Sequence, residues 1–243
     1  MSATRLCPCG CGAEFEATVA ERERGLRAET LALAPSAALP GREHAAAYLI
    51  SGVPGAGKST VARLLALHFD RAAHVDIDMV YHHFTVTGLA PPAGPGEDTR
   101  RQSELAVVNA GAMARNYVGA GYVCVLEGAI VLRAQVLACR DAVAPHPLHL
   151  VVLAPPGEVA GERDARRSGK HVAEYFRHLG PVLGRELGGF GLWIDSGGQT
   201  PLETVRAILT RRSAARLPGS PSAAGLPPAA GSPPAAGSPQ AGC

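Results

Sequence analysis

Gly52-Val53-Pro54-Gly55-Ala56-Gly57-Lys58-Ser59-Thr60 decides the fold. The apolar run Ala45-Ala46-Ala47-Tyr48-Leu49-Ile50 leads into it, and Val61, Leu64, Leu65 and Phe69 follow at helical spacing. Strand, glycine-rich loop and helix are the context in which G-x-x-x-x-G-K-[ST] acts as a P-loop. Glycines let the backbone curl until successive N–H groups converge on phosphate oxygens, with the positive end of the next helix behind them. The stretch from Gly52 to Thr60 supplies that cradle. Lys58 adds a point charge at the β- and γ-phosphates, and Ser59 offers its hydroxyl to Mg²⁺. Only two of the 23 basic residues are lysines, Lys58 and Lys170, so a lysine at this position is a specific signal. The stretch reads as a nucleoside-triphosphate site.

Working outward, the 243 residues give room for one α/β domain with extensions. Hydrophobic residues make up 47% of the chain, enough for a core. No apolar run approaches the roughly 20 residues that span a bilayer, and the N-terminus lacks a charged-then-apolar leader. The expectation is a cytoplasmic protein with no membrane partner. A net charge of +2 argues against a nucleic-acid partner held by a global field. The six cysteines are not distributed as a disulfide scaffold: Cys124 and Cys139 fall in apolar segments and Cys243 is terminal.

Downstream of the P-loop helix, Ala72-Ala73-His74-Val75-Asp76-Ile77-Asp78 reads as a second strand. Asp76 and Asp78, two residues apart, share one side of an extended chain. Ligands of open α/β sheets bind beyond the carboxyl ends of the strands, so both face the nucleotide edge. A Gly/Pro-rich loop spans Thr87–Asp98, and Thr99–Val118 is helical, with Leu105, Val108, Ala112 and Tyr117 at helical spacing. Tyr122–Leu126 is a third strand ending in Glu127-Gly128. A carboxylate at the tip of such a strand, beside a P-loop, holds Mg²⁺ through water or polarises an attacking group. A helix over Val131–Val143 and a fourth strand over Leu148–Leu153 follow.

The segment Glu158–Lys170 carries Arg163, Arg166 and Arg167 at separations that share one helix face. Two readings stand. The face closes over the triphosphate as a lid with an arginine finger in cis, or it is a solvated face paired with Glu158, Glu162 and Asp164. His171–Leu187 continues as helix, and Gly191–Asp195 is a fifth strand. Thr200 caps the last helix with Glu203 as its capping-box partner.

Residues 1–44 form an appendix: a Cys-rich stretch, a helix-favouring segment over Glu14–Ala34, and a linker over Pro35–Gly41. Cys7, Cys9 and Cys11 supply three of the four ligands that zinc takes, with His44 as a distant fourth. The alternative is reduced thiols in a mobile tail. At the other end, residues 216–243 repeat Ala-Ala-Gly-x-Pro-x from Ala223, Ala229 and Ala235 and lack the apolar bulk to fold. Residues 45–215 remain as an α/β three-layer P-loop NTPase domain. Its five-stranded parallel sheet carries helices on both faces, and the first strand is central.

The P-loop, Val75-Asp76-Ile77-Asp78, Leu126-Glu127-Gly128 and Glu162-Arg163-Asp164-Ala165-Arg166-Arg167 together resemble the small P-loop kinases around zeta toxins and chloramphenicol phosphotransferases, an AAA-type ATP-binding group that also includes polynucleotide-kinase-type phosphotransferases. The resemblance covers residues 45–211. It implies a base acting on the acceptor hydroxyl at Asp78, with Asp76 as the alternate, and an assisting acid at Glu127. Met79-Val80-Tyr81 follows Asp78 where such relatives often carry a basic residue. The expected activity is ATP- and Mg²⁺-dependent phosphoryl transfer to a hydroxyl of a small molecule or nucleotide. The alternative is a nucleotide-binding regulatory ATPase whose N-terminal appendix binds a partner.

Overall fold

The structure is a computed structural model that describes residues 5–6, 14–15, 27–28, 45–88, 96–166 and 178–220. Strands β1 (Ala47–Gly52), β2 (Ala72–Asp76), β3 (Val123–Glu127), β4 (Leu148–Leu153) and β5 (Leu192–Ile194) alternate with helices. These are α1 (Lys58–His68), α2 (Glu97–Gly119), α3 (Arg133–Val143), α4 (Gly157–Ala165), α5 (Leu179–Leu187) and α6 (Pro201–Thr210). The strands form one parallel sheet in the order β2-β3-β1-β4-β5. The P-loop strand is therefore central, as its apolar run implies.

Burial explains the order. All six residues of β1 and of β4 are buried, as strands covered on both faces must be. Alternate side chains feed two cores. Ala47 and Leu49 of β1, Cys124 and Leu126 of β3, and Leu148 and Leu150 of β4 pack with Val107 and Ala114 of α2, Cys139 of α3 and Leu187 of α5. Tyr48 and Ile50 of β1, with Val151 and Leu153 of β4, pack on Leu65 of α1 and Val205 and Ile208 of α6. Edge strand β2 is only partly covered. Helices α2 and α3 approach closely: a Cβ on Gly111 would lie 2.7 Å from that of Ala142. Trp193 is an anchor of the fold, its indole N–H donating to the Leu187 carbonyl at 3.0 Å. Burial also pushes the Cys124 and Cys139 thiols up to about 12, so both are inert core residues.

Three expectations need correction. β2 ends at Asp76, and the chain turns into a short helix over Ile77–Met79 followed by a π-helical turn over Val80–Phe84. Asp76 and Asp78 consequently do not share a side of one extended strand; Asp76 caps the turn that holds Asp78. Glu14–Phe15, expected to begin a helix, pair antiparallel with Arg5–Leu6, so ladder hydrogen bonds claim that backbone. Packing also runs past residue 215. The Leu217 N–H donates to Leu148 O at 2.9 Å, and Leu217 is buried.

Cys7, Cys9, Cys11 and Arg167 lie outside the described residues, as does the repeat-bearing tail beyond residue 220. No helix among the described residues is long and apolar enough to cross a membrane.

Candidate functional site

The P-loop leaves β1 at Gly52 and enters α1 at Lys58. Two glycines in it have definite work. Gly55, at φ +79°, passes so close to α4 that a Cβ would run into the Ala160 carbonyl. Gly57, the N-cap of α1, is left-handed at φ +94° and supplies no side-chain cap. No heavy atom lies within 4 Å of where its Cβ would be. The first backbone bond into the helix runs from Val61 N–H to Gly57 O at 3.0 Å. The amides of Lys58, Ser59 and Thr60 thus sit in the uncapped first turn, where a helix binds anions. Within the loop, Ala56 N–H and the Lys58 ammonium both donate to Val53 O, at 3.1 and 3.2 Å.

Three carboxylates gather at the adjacent strand tips. Glu127 ends β3, lies opposite Asp76 in the parallel register, and is only 3% exposed. Burial pushes its carboxyl above the ordinary carboxylate range. A hydrogen bond with Ser59 and the charge of Lys58 oppose that rise, while Asp76 and Asp78 add to it. Ser59, Lys58, Asp76 and Asp78 thus all act on the Glu127 carboxyl. Asp76 Oδ1 accepts from the backbone N–H groups of Asp78 at 2.8 Å and Met79 at 3.3 Å. That makes it an N-cap. An aspartate followed two residues on by a second acidic residue is a helix-start signal, which an alternation reading passes over.

On the opposite flank of the P-loop, a cleft of about 300 Å³ is lined by Lys58, Thr60, Arg163, Gln199, Pro201 and Thr204. Arg163, on α4, donates to the carbonyls of Ser196 at 2.8 Å and Gly197 at 3.2 Å. The Ser196 hydroxyl in turn donates to Ala56 O at 3.4 Å. Helix α4, the loop after β5 and the P-loop are stitched together by these bonds. Arg166 instead pairs with Glu162 at 3.3 Å, with both side chains exposed, as on a solvated helix face. Gln199, Pro201 and Thr204 were missed from sequence, because a loop after an edge strand carries no motif of its own. Among the described residues, the one feature that marks their position is the capping box of Thr200 and Glu203, which sets where α6 begins.

The oxygen donors fit Mg²⁺. Ser59 and the neighbouring carboxylates are hard ligands, and this ion commonly takes one or two protein ligands and completes its shell with phosphates and water. Among the described residues no three His, Cys, Asp or Glu side chains are grouped to hold a metal by themselves, so a metal here would rely on the nucleotide for the rest of its ligands.

A central P-loop strand in a five-stranded parallel sheet, with acidic residues on the neighbouring strand tips, defines a P-loop NTPase of kinase-like architecture. The AAA domain family matches residues 48–177, more than half of the chain, and the chain belongs to that family. The structure is similar to a sugar kinase from Janibacter sp. HTCC2649 (TM-score 0.55, 16% identity, covering 70% of this chain and 95% of that one). It is likewise similar to a gluconokinase from Sinorhizobium meliloti 1021 (TM-score 0.54, 19% identity, covering 70% and 93%). A tunicamycin resistance protein from Deinococcus radiodurans gives a TM-score of 0.50 at 18% identity, covering 71% and 98%. At these identities the likeness is one of fold. No curated protein matches the chain.

Proposed function

We propose that the chain is an ATP-dependent phosphotransferase of the zeta-toxin and chloramphenicol-phosphotransferase-like kind, acting on a hydroxyl of a small molecule or nucleotide. The observation that carries this reading is geometric: the central strand feeds the P-loop and the Lys58-Ser59 helix start, Glu127 pairs in register with Ile50 of that strand and with Asp76 of the next, and Asp76 holds the Asp78 amide at 2.8 Å. The names of the sugar kinase and the gluconokinase agree with it.

The loop amides and Lys58 hold the β- and γ-phosphates. Ser59, with Glu127 assisting, would hold Mg²⁺, which would supply neutralisation of phosphate charge. Asp78 orients the acceptor hydroxyl and takes its proton as the acceptor oxygen bonds to phosphorus and the bond from phosphorus to the departing ADP oxygen breaks. Asp76 keeps Asp78 in place. Arg163, Gln199 and Pro201 form the nucleoside end, where the guanidinium supports the wall through Ser196 and Gly197 rather than acting as a finger. Arg166 and Arg167 remain candidates for closing over the transferred group, with Arg166 swinging away from Glu162. In this reading the transferring unit runs from residue 45 to at least Leu217, which packs on β4, and residues 1–44 are an appendix.

The test is phosphate transfer from Mg-ATP across a broad panel of hydroxyl acceptors, with Lys58→Ala as the control. Transfer to one acceptor class that vanishes in the control supports the reading. Tight ATP binding with release of phosphate to water alone sinks it. That outcome would favour a regulatory ATPase whose appendix, with its Arg5–Leu6 and Glu14–Phe15 ladder, binds a partner.

A further inference from the structure

We propose that the acceptor is an alcohol with an apolar body and no negative charge, seated on the wall that begins at Met79. The proposal rests on the phosphotransfer reading above and narrows its substrate. Among the described residues six large apolar side chains are exposed. Three of them, Met79 (48%), Phe84 (63%) and Val86 (83%), fall in the eight residues immediately after Asp78. Two more, Leu105 and Val108, lie on α2, which packs against the π-helical turn. Gln102, one turn before Leu105, donates to Tyr81 O at 3.3 Å and ties helix to turn. Exposed apolar surface concentrated beside a polar site is the usual mark of a binding surface. Here the exposed apolar run begins at Met79, the residue next to the one assigned to the acceptor hydroxyl.

Charge selects the occupant. Residues 77–88 contain neither lysine nor arginine, and the polar side chains of the turn include the imidazoles of His82 and His83. Arg100 and Arg101, at the start of α2, are engaged by Glu97 and Glu104 at 3.2–3.8 Å. Arg133, at the start of α3, stacks on Phe190 at 4.6 Å. Asp76, Asp78 and Glu127 stand at the same edge. An anionic acceptor would meet three carboxylates without a cation from this wall, whereas an apolar body gains by covering Met79 and Phe84. The transfer step is unchanged: the alcohol oxygen bonds to the γ-phosphorus, ADP leaves, and the hydroxyl proton passes to Asp78.

The test uses the full chain with Mg-ATP and the 1,2-diols from propanediol to octanediol, plus 3-phenoxypropane-1,2-diol. Gluconate and glycerol 3-phosphate are the anionic comparators. The expected result is kcat/KM rising about fourfold per added methylene, with both anions poorer than phenoxypropanediol. In Met79→Ser/Phe84→Ser that dependence on chain length flattens; both side chains are exposed, and circular dichroism checks the fold. A preference for either anion, a flat series in the natural chain, or an unaltered slope in the variant overturns the proposal. Calorimetric binding of phenoxypropanediol gives a readout independent of turnover. Binding that the variant loses, without transfer to any acceptor, supports the apolar seat and refutes the phosphotransfer reading. Neither binding nor transfer overturns the proposal, as does self-association that the variant abolishes while phenoxypropanediol does not bind.

Discussion

The two flanks of the P-loop are built to opposite rules. On one, Arg163, Ser196 and Ala56 are joined by hydrogen bonds of 2.8–3.4 Å into a wall that closes on itself. On the other, Asp78 sits on a short helix that runs into a π-helical turn; Ile77 and Val80 are buried there, while Met79 and Phe84 are exposed. A wall tied to itself by hydrogen bonds is held in shape before any ligand arrives. A turn with exposed apolar side chains gains most when something covers it. On the phosphotransfer reading proposed above, the contrast is that of a fixed donor site beside a variable acceptor site, so damage to the two flanks should have different kinetic signatures.

On the proposed reading the largest effect should fall at Asp78. Asp78→Asn is expected to lower kcat by about 10²–10⁴-fold, with ATP affinity retained in equilibrium titration. Parallel loss of both would assign Asp78 to metal binding. Asp76 sharpens this. Asn caps a helix as well as Asp does, so Asp76→Asn should keep most activity while Asp76→Ala loses it along with about 1 kcal/mol of stability. Equal losses in the two variants would show that the negative charge of Asp76, not its cap, matters.

Lys58→Ala follows, with an expected loss of about 10²–10³-fold in kcat together with weaker ATP binding, since the ammonium serves both. Next comes the closed flank. Arg163→Ala removes a guanidinium from two carbonyls and should raise the KM for ATP about tenfold while leaving the ranking of acceptors intact. A changed acceptor ranking would mean that the flanks are not separate.

The smallest expected effect is on stability. Glu127 has its carboxyl raised by burial, so across the interval between its ordinary and its folded value the native chain binds more protons than the unfolded one. The stability it contributes is complete below the ordinary carboxylate range and is lost as pH rises through the folded value. Glu127→Gln cannot ionise. In chelator its melting temperature should exceed that of the natural chain at pH 7, and the gap should close toward pH 4, even though the variant transfers phosphate poorly. A gap that widens on acidification would reverse the assignment.

Much of this was legible in the sequence because it is written in local chemistry. The P-loop between an apolar strand and a helix placed β1 at the sheet centre, Leu126-Glu127-Gly128 marked a strand tip, and Thr200 with Glu203 announced α6. The sheet edge at Asp76 and Asp78 was read less well. Alternation treats Asp76-Ile77-Asp78 as extended, but the Asp76 carboxylate competes for the next amides and turns the chain. The closed flank was partly hidden for another reason. Arg163 reaches Ser196 across 33 residues, and Ser196 reaches Ala56 across 140, distances at which no spacing rule operates. The helix face that sequence offered as a clamp divides accordingly, with Arg163 turned inward and Arg166 paired outward.

On the proposed reading, in which Glu127 helps to hold the metal, the burial that raises its carboxyl couples nucleotide loading to proton release. A carboxyl raised by burial, with Asp76 and Asp78 adding to the rise, binds a proton more readily, and a divalent cation ligated by it would displace that proton into the medium. The apparent heat of Mg-nucleotide binding should then depend on the buffer that collects that proton. Titrations in buffers of different ionisation enthalpy would count it directly, and the count should fall to zero in Glu127→Gln.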